Sequence, residues 1–164
     1  MVTIRKGTKS DAPLLARLNA AVQSMHYEQV PTFFKPPQAD NPDLIALFVD
    51  RLNREDHIVY IAELDGQAVG HVVCVVQRRP DNPFTFAVNR LHIDEMSVDE
   101  RYRRQGIGSA LMNQVFELVR ERDLSQVTLN VWQFNEQAIA FYRRHGFDAY
   151  SLNMSASLPN QTDD

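Results

Sequence analysis

At 164 residues, with 44% hydrophobic and 23% charged side chains, the chain can bury a real core but not two comfortable ones, so one domain is expected at 1–158, with a polar tail at 159–164. A net charge of −4 is that of an ordinary soluble protein; it excludes a disordered polyelectrolyte and implies no nucleic-acid partner. Met1 runs straight into VTIRK without a leader pattern, and no apolar run approaches membrane-spanning length, so a cytoplasmic protein with no membrane contact is expected.

Val2 to Lys6 reads as a strand. Thr8 followed three residues later by Asp11 is a capping signal, and Leu14, Leu15, Leu18 and Val22 give the stripe of a helix ending near Met25. HYEQVPTFFKPPQADNP breaks that period with proline and aromatic residues and is expected to be a structured loop. Asn41 before Pro42 opens a second helix running to about Leu52. From His57 the period becomes that of strands: HIVYIAEL, the turn Asp65-Gly66 and QAVGHVVCVVQ predict a hairpin. RRPDNP connects to two further strands, FTFAV and RLHIDEMSV. A helix then opens at Gly106 and runs to about Arg122, with Leu111, Val115, Leu118 and Val119 on one face. SQVTLNV is the next strand, NEQAIAFYRRH a helix stopped by Gly146, and FDAYSLNMSASL a last strand. This is a mixed α/β order of the α+β kind, not a doubly wound sheet.

Cys74, the only cysteine, lies inside VVCVV, which predicts a buried, inert thiol. The histidines share no metal-ligand spacing, and no metal is expected. The stretch RYRRQGIGSAL (101–111) packs arginines and glycines at a helix start, where free backbone N–H groups and the helix dipole favour an anion. It matches neither GxxxxGK[ST] nor GxGxxG, since Ala110 and Leu111 follow where a third glycine would stand. A plain surface turn with solvated arginines fits the same letters.

MSVDERYRRQGIGSALM (96–112) resembles the acyl-CoA motif of the GCN5-related N-acetyltransferase superfamily. NEQAIAFYRRHGF (135–147) resembles that family's NxxAxxFYxxxGF segment, and TIRKGTKSDAPLLARL its opening strand and helix. Arg104 stands where many members have glycine. The resemblance implies a mostly antiparallel twisted sheet of six to seven strands, flanked by about four helices, with a splayed central strand pair. It implies acetyl-CoA as cosubstrate, bound by the backbone of Met96, Ser97 and Val98 and by the N–H groups of Arg104, Gln105, Gly106, Ile107, Gly108 and Ser109. Arg103 or Arg104 would add charge, and Asn135 and Tyr142 would touch the cofactor's arm and thiol.

The implied reaction is direct acetyl transfer to a primary amine in a ternary complex, which needs an acid and a base. Tyr142 is the acid by position; its other reading is an aromatic that packs the helix. Period-2 alternation puts His92, Asp94 and Met96 on one face of their strand and Ile93, Glu95 and Ser97 on the other, unless a bulge intervenes. Asp94 ranks first as base, then His92, then Glu95. His26, Tyr27, Glu28, Phe33 and Phe34 are the candidate acceptor wall. The acceptor would be a polyamine-like small molecule or a protein amine. The short tail leaves that side either open or completed by a second copy in a homodimer. The alternative is a non-catalytic acyl-CoA sensor or interaction module of the same fold.

Overall fold

The patterns fold into five strands and four α-helices in the computed structural model, which describes residues 1–156. They form two compact units, Met1–Asn130 and Val131–Asp164. In the first unit, β1 (Val2–Lys6), β2 (His57–Leu64), β3 (Gln67–Arg79), β4 (Val88–Val98) and β5 (Gln126–Leu129) make one sheet in the order β1-β2-β3-β4-β5. The first three junctions are antiparallel, and β4 and β5 are parallel. The β2–β3 turn places Asp65 and Gly66 at φ 50° and 82°, the doubly left-handed geometry that matches the twist of a hairpin.

Thr8 caps as its spacing predicts: its N–H and hydroxyl both donate to the Asp11 carboxylate at 2.8 Å, through a short 3-10 turn into α1 (Ala12–Gln29). Arg5 holds the same carboxylate with two nitrogens and so keeps its pKa down, at about 2. The helix α1 runs one turn further than its apolar stripe suggested, so His26–Gln29 are helical and the loop begins at Val30. Asn41 accepts from the Asp43 N–H at 2.8 Å and opens α2 (Pro42–Asn53). Both helices pack on one face of the sheet, where Leu15, Ala16 and Phe48 meet Val59, Ile61 and Val73. On the other face α3 (Ile107–Glu121) buries Ile107, Leu111, Met112, Val115 and Leu118; Tyr60 on β2 bonds to Gln114 of α3.

Two expected strands are absent among the described residues. FTFAV is a loop up to Val88: the Asn82 side chain accepts from the N–H groups of Phe84 and Thr85, which closes a turn, and the rings of Phe84 and Phe86 point to solvent. Residues 147–156 form no strand, and the last letters of that expected strand lie outside the described residues. The sheet therefore has five strands where six to seven were expected. No helix among the described residues is long and apolar enough to cross a membrane.

The second unit is built on α4 (Glu136–Arg144). Asn135 caps it by accepting from the Ala138 N–H at 3.1 Å. Gly146 at φ 85° ends it, with Gly146 N–H on the Arg143 carbonyl at 3.0 Å and Phe147 N–H on the Tyr142 carbonyl at 3.1 Å. That is the paired C-terminal closure glycine permits, completed by edge contact of the Tyr142 and Phe147 rings. The motif NEQAIAFYRRHGF is thus one helix with both of its caps.

Candidate active site

The site in the first unit starts from an irregularity. On β4, Glu95 pairs with Val73 and Ile93 with Cys74, so Asp94 is an extra residue without a partner on β3. The bulge cancels the simple alternation. Cross-strand partners share a face, so Glu95 and Ser97 follow Val73 and His71 onto the side of α1 and α2, while Ile93 goes with Cys74 to the side of α3. His92, paired beside Thr128, stands on the α1/α2 side as well, and the Asp94 carboxylate reaches Arg51 of α2. All three candidate bases therefore face one way, where strict alternation had separated Glu95 from the other two.

Their surroundings differ. Glu95 is engaged on both oxygens: Oε1 takes Asn19 Nδ2 at 2.8 Å and His71 Nε2 at 2.6 Å, and Oε2 takes Arg51 at 3.1 Å. Burial alone would raise its pKa; the His71 ring, the Asn19 amide and the Arg51 guanidinium outweigh that and hold the carboxyl well below its usual range. Asp94 takes the other terminal nitrogen of Arg51 at 2.7 Å and is 36% exposed. His92 Nδ1 lies 2.9 Å from the Thr128 hydroxyl, and burial lowers its pKa against the pull of Asp94. Arg51 rests over the Phe48 ring at 5.5 Å. His71 is fully buried, its ring edge-on to Phe48, and its Nδ1 has no hydrogen-bond partner.

Asn19, Arg51 and His71 carry the geometry, and sequence reading had passed over all three. Their common signal was polarity in an apolar place: Asn19 one turn after Leu15 on the buried stripe, and His71 inside VGHVV. Gly70, next to His71, is a fourth: a Cβ there would stand 2.8 Å from the Ser97 carbonyl, so only glycine lets β3 approach β4 at that point.

Toward α3, β4 offers its backbone. Pairing with β5 covers only Arg90 to Ile93, because β5 ends at Leu129 opposite Ile93, so from Asp94 to Val98 β5 does not ladder with β4. The Ser97 hydroxyl donates to the Leu18 carbonyl at 3.1 Å, and Met96, Ser97 and Val98 ladder with β3 on one edge of β4 while β5 does not ladder with the other. The turn beyond holds Arg104 at φ 63° and Gly106 at φ 79°, and left-handed residues alternating in a turn gather N–H groups into an anion nest. Arg104 at this angle explains why glycine suits the position. Gly106 caps α3, whose first N–H groups, from Ile107, Gly108 and Ser109, have no intrahelical acceptor. A Cβ at Gly106 would project into open space, so the cradle is clear for a diphosphate, and these residues fit coenzyme A. Arg101 is tied to Asp99 at 2.7 Å and Arg103 to Glu100 at 3.3 Å; no ion pair among the described residues holds Arg104.

The acceptor candidates lie at the end of α1 and just after it. Asn19, Gln23 and His26 line one stripe: Asn19 on Glu95, Gln23 on the Lys35 carbonyl at 2.6 Å, and His26 stacked on Phe34 at 4.7 Å. Phe33 meets Phe34 edge-on and is largely exposed. Tyr27 and Glu28 are helical, with Glu28 turned to solvent. The loop is thereby fastened to the carboxylate face through one helix stripe. Burial lowers the His26 pKa against the attraction of Glu95. In the second unit Tyr142 lies against Phe141 and Phe147, and Asn135 serves as the helix cap described above. Burial also pushes the Cys74 thiol up to about 12, aided by the nearby Asp94 charge, as expected of an inert cysteine.

Residues 22–147 match the model of the acetyltransferase (GNAT) family. The chain belongs to that family. Among its GNAT relatives, the N-alpha-acetyltransferase of Sulfurisphaera tokodaii is 31% identical over 103 residues, 61% of this chain and 62% of that protein. The L-amino acid N-acetyltransferase AaaT of Escherichia coli is 30% identical over 103 residues, 61% of this chain and 59% of its own length. The aligned stretches thus span about three fifths of these curated relatives. The fold matches a solved structure of the BH1408 protein of Bacillus halodurans (a tetramutant) with a TM-score of 0.89 at 22% identity, over 95% of this chain and 99% of that one.

Proposed function

We propose that this GNAT protein is an acetyl-CoA-dependent N-acetyltransferase for a primary amine, and that Asp94 is its base. The observation that carries the reading is the bulge. It sets a partly exposed carboxylate beside a strand edge that β5 leaves unpaired, and that edge leads directly into the anion nest. The bound cosubstrate supplies an acetyl thioester, whose acetyl group the amine takes up directly in a ternary complex.

The chain's part is to orient the amine and manage its proton. A primary amine is mostly ammonium at neutral pH and must lose a proton before it can act as a nucleophile. Glu95, saturated by Asn19, His71 and Arg51, is a scaffold group. Asp94 keeps an oxygen beyond the one on Arg51 and so can receive the ammonium and its proton; His92, neutral through burial, is placed next to it to pass the proton on. Tyr142, by its place in the FYRR segment, is the candidate to return a proton to the departing thiolate.

The test is thiol release from acetyl-CoA across a panel of amines and peptides, beside calorimetric titration of CoA. Turnover is expected, and Asp94→Asn should lower kcat/KM by about a hundredfold while CoA affinity stays within about twofold. CoA binding without turnover on any amine would favour the sensor reading, and no CoA binding would end both.

A further inference from the structure

Asp94 stands where the sheet gives a side chain no direction. As the extra residue of the bulge it has no partner on β3, and β5 does not ladder with it on the other edge. We propose that Arg51 is a positioning residue for the transfer reaction: it fixes where the Asp94 carboxylate stands, and it acts on the chemistry through that carboxylate. The inference rests on the acetyl-transfer reading with Asp94 as base, and it adds α2 to the elements that build the site.

Among the described residues, the ion-pair partner of Asp94 is Arg51, at 2.7 Å. Arg51 is itself held from two sides. Its other terminal nitrogen donates to Glu95 Oε2 at 3.1 Å, and Glu95 is pinned in turn at Oε1 by Asn19 of α1 and His71 of β3. Its guanidinium carbon lies 5.5 Å from the centre of the Phe48 ring, one turn back on α2, and Phe48 is fully buried in the core. The Arg51 side chain is only 20% exposed. The nitrogens of a guanidinium are coplanar and rigidly spaced, so two carboxylates that meet separate nitrogens stand in a set relation to one another. Arg51 thereby passes the fixed place of Glu95 on to the residue before it in the strand. A lysine at this position would keep the charge but offer one nitrogen, on which both carboxylates would have to converge. A base out of hydrogen-bond reach of the ammonium slows the proton's removal and hence the transfer. Amine binding follows a different rule: a cation beside Asp94 competes with the ammonium for the same carboxylate, so loss of Arg51 should not weaken it.

The experiment is a double-mutant cycle in the full-length protein, read by thiol release from acetyl-CoA at varied amine concentration. Arg51→Lys and Arg51→Met should each lower kcat about tenfold or more, while the amine KM does not rise and CoA affinity stays within about twofold. In an Asp94→Asn background the same two substitutions should cost less than about a further twofold, because the group through which Arg51 acts is already gone. An equal loss in both backgrounds, a loss carried by a raised KM, or wild-type kcat in the variants would overturn the inference while leaving acetyl transfer intact. Arg51→Met leaves Glu95 one donor short, so where that variant does not fold, Arg51→Lys carries the cycle. If the wild-type protein acetylates no amine, the acetyl-transfer reading is what fails, and the positioning is then read from the ¹³C carboxyl resonance of Asp94. It should shift in Arg51→Lys, where the charge is kept and only the geometry changes; an unmoved resonance would overturn the inference.

Discussion

Arg51 and Glu95 show how an ion pair that stabilises the fold can also fix the position of a neighbouring carboxylate, Asp94. Glu95 is charged because three donors surround it, and its pKa is depressed to about 2 from an ordinary 4.5. A depressed carboxyl stabilises the fold fully above its unfolded value and loses that contribution as pH falls through the folded one. Glu95→Gln should therefore cost about 1–2 kcal/mol at neutral pH, for loss of hydrogen bonds to an ionised group. The difference from wild type should close between about pH 4.5 and 2. Denaturant midpoints of both proteins across that range measure it; a gap that persists at the acid end would mean the carboxylate is not the source. The same surroundings explain why the proposed base was hard to choose from sequence. Asp94 and Glu95 are consecutive acids in one strand, and only the positions of Asn19, His71 and Arg51, drawn from three other elements, separate a saturated carboxylate from an available one.

The elements were largely legible because their signals are local. Thr8 and Asp11, Asn41, Asp65-Gly66 and Gly146 mark boundaries through hydrogen bonds and φ values set within a few residues, and each is realised as read. The errors came where the local signal pointed one way and the surroundings another. FTFAV alternates like a strand, but Asn82 draws it into a turn, and no neighbour covers its rings. The end of α1 carries no apolar stripe yet continues for a turn, where Gln23 and His26 hold the following loop. Gly70 is an element-scale case with a sharp outcome. Gly70→Ala must push the new methyl against the Ser97 carbonyl, so β3 and β4 have to part at the point where β4 offers its other edge. A loss of about 1–3 kcal/mol in stability is expected, together with weaker CoA binding by calorimetry; unchanged binding in a folded variant would uncouple that edge from the cofactor.

At the scale of the molecule, apolar surface is spent unevenly. The core of the first unit lies on both faces of one sheet, whereas Phe84 and Phe86 stand at 95% and 93% exposure on the β3–β4 loop. Residues that bury nothing contribute nothing to the core, so Phe84→Ser with Phe86→Ser should leave stability within about 0.5 kcal/mol and raise solubility. A large drop in melting temperature would show that the loop packs after all.

The bulge on β4 has one more consequence. Removing residue 94 would bring Glu95 next to Ile93, and with Val73 and Cys74 opposite them the ladder would close into an ordinary antiparallel strand, every flanking side chain keeping its face. Asp94 is, in the grammar of the sheet, an inserted letter: the strand reads correctly without it. Inside the fold this carboxylate has Arg51 as its ion-pair partner; on the proposed reading, the amine it would receive is the reason for the insertion.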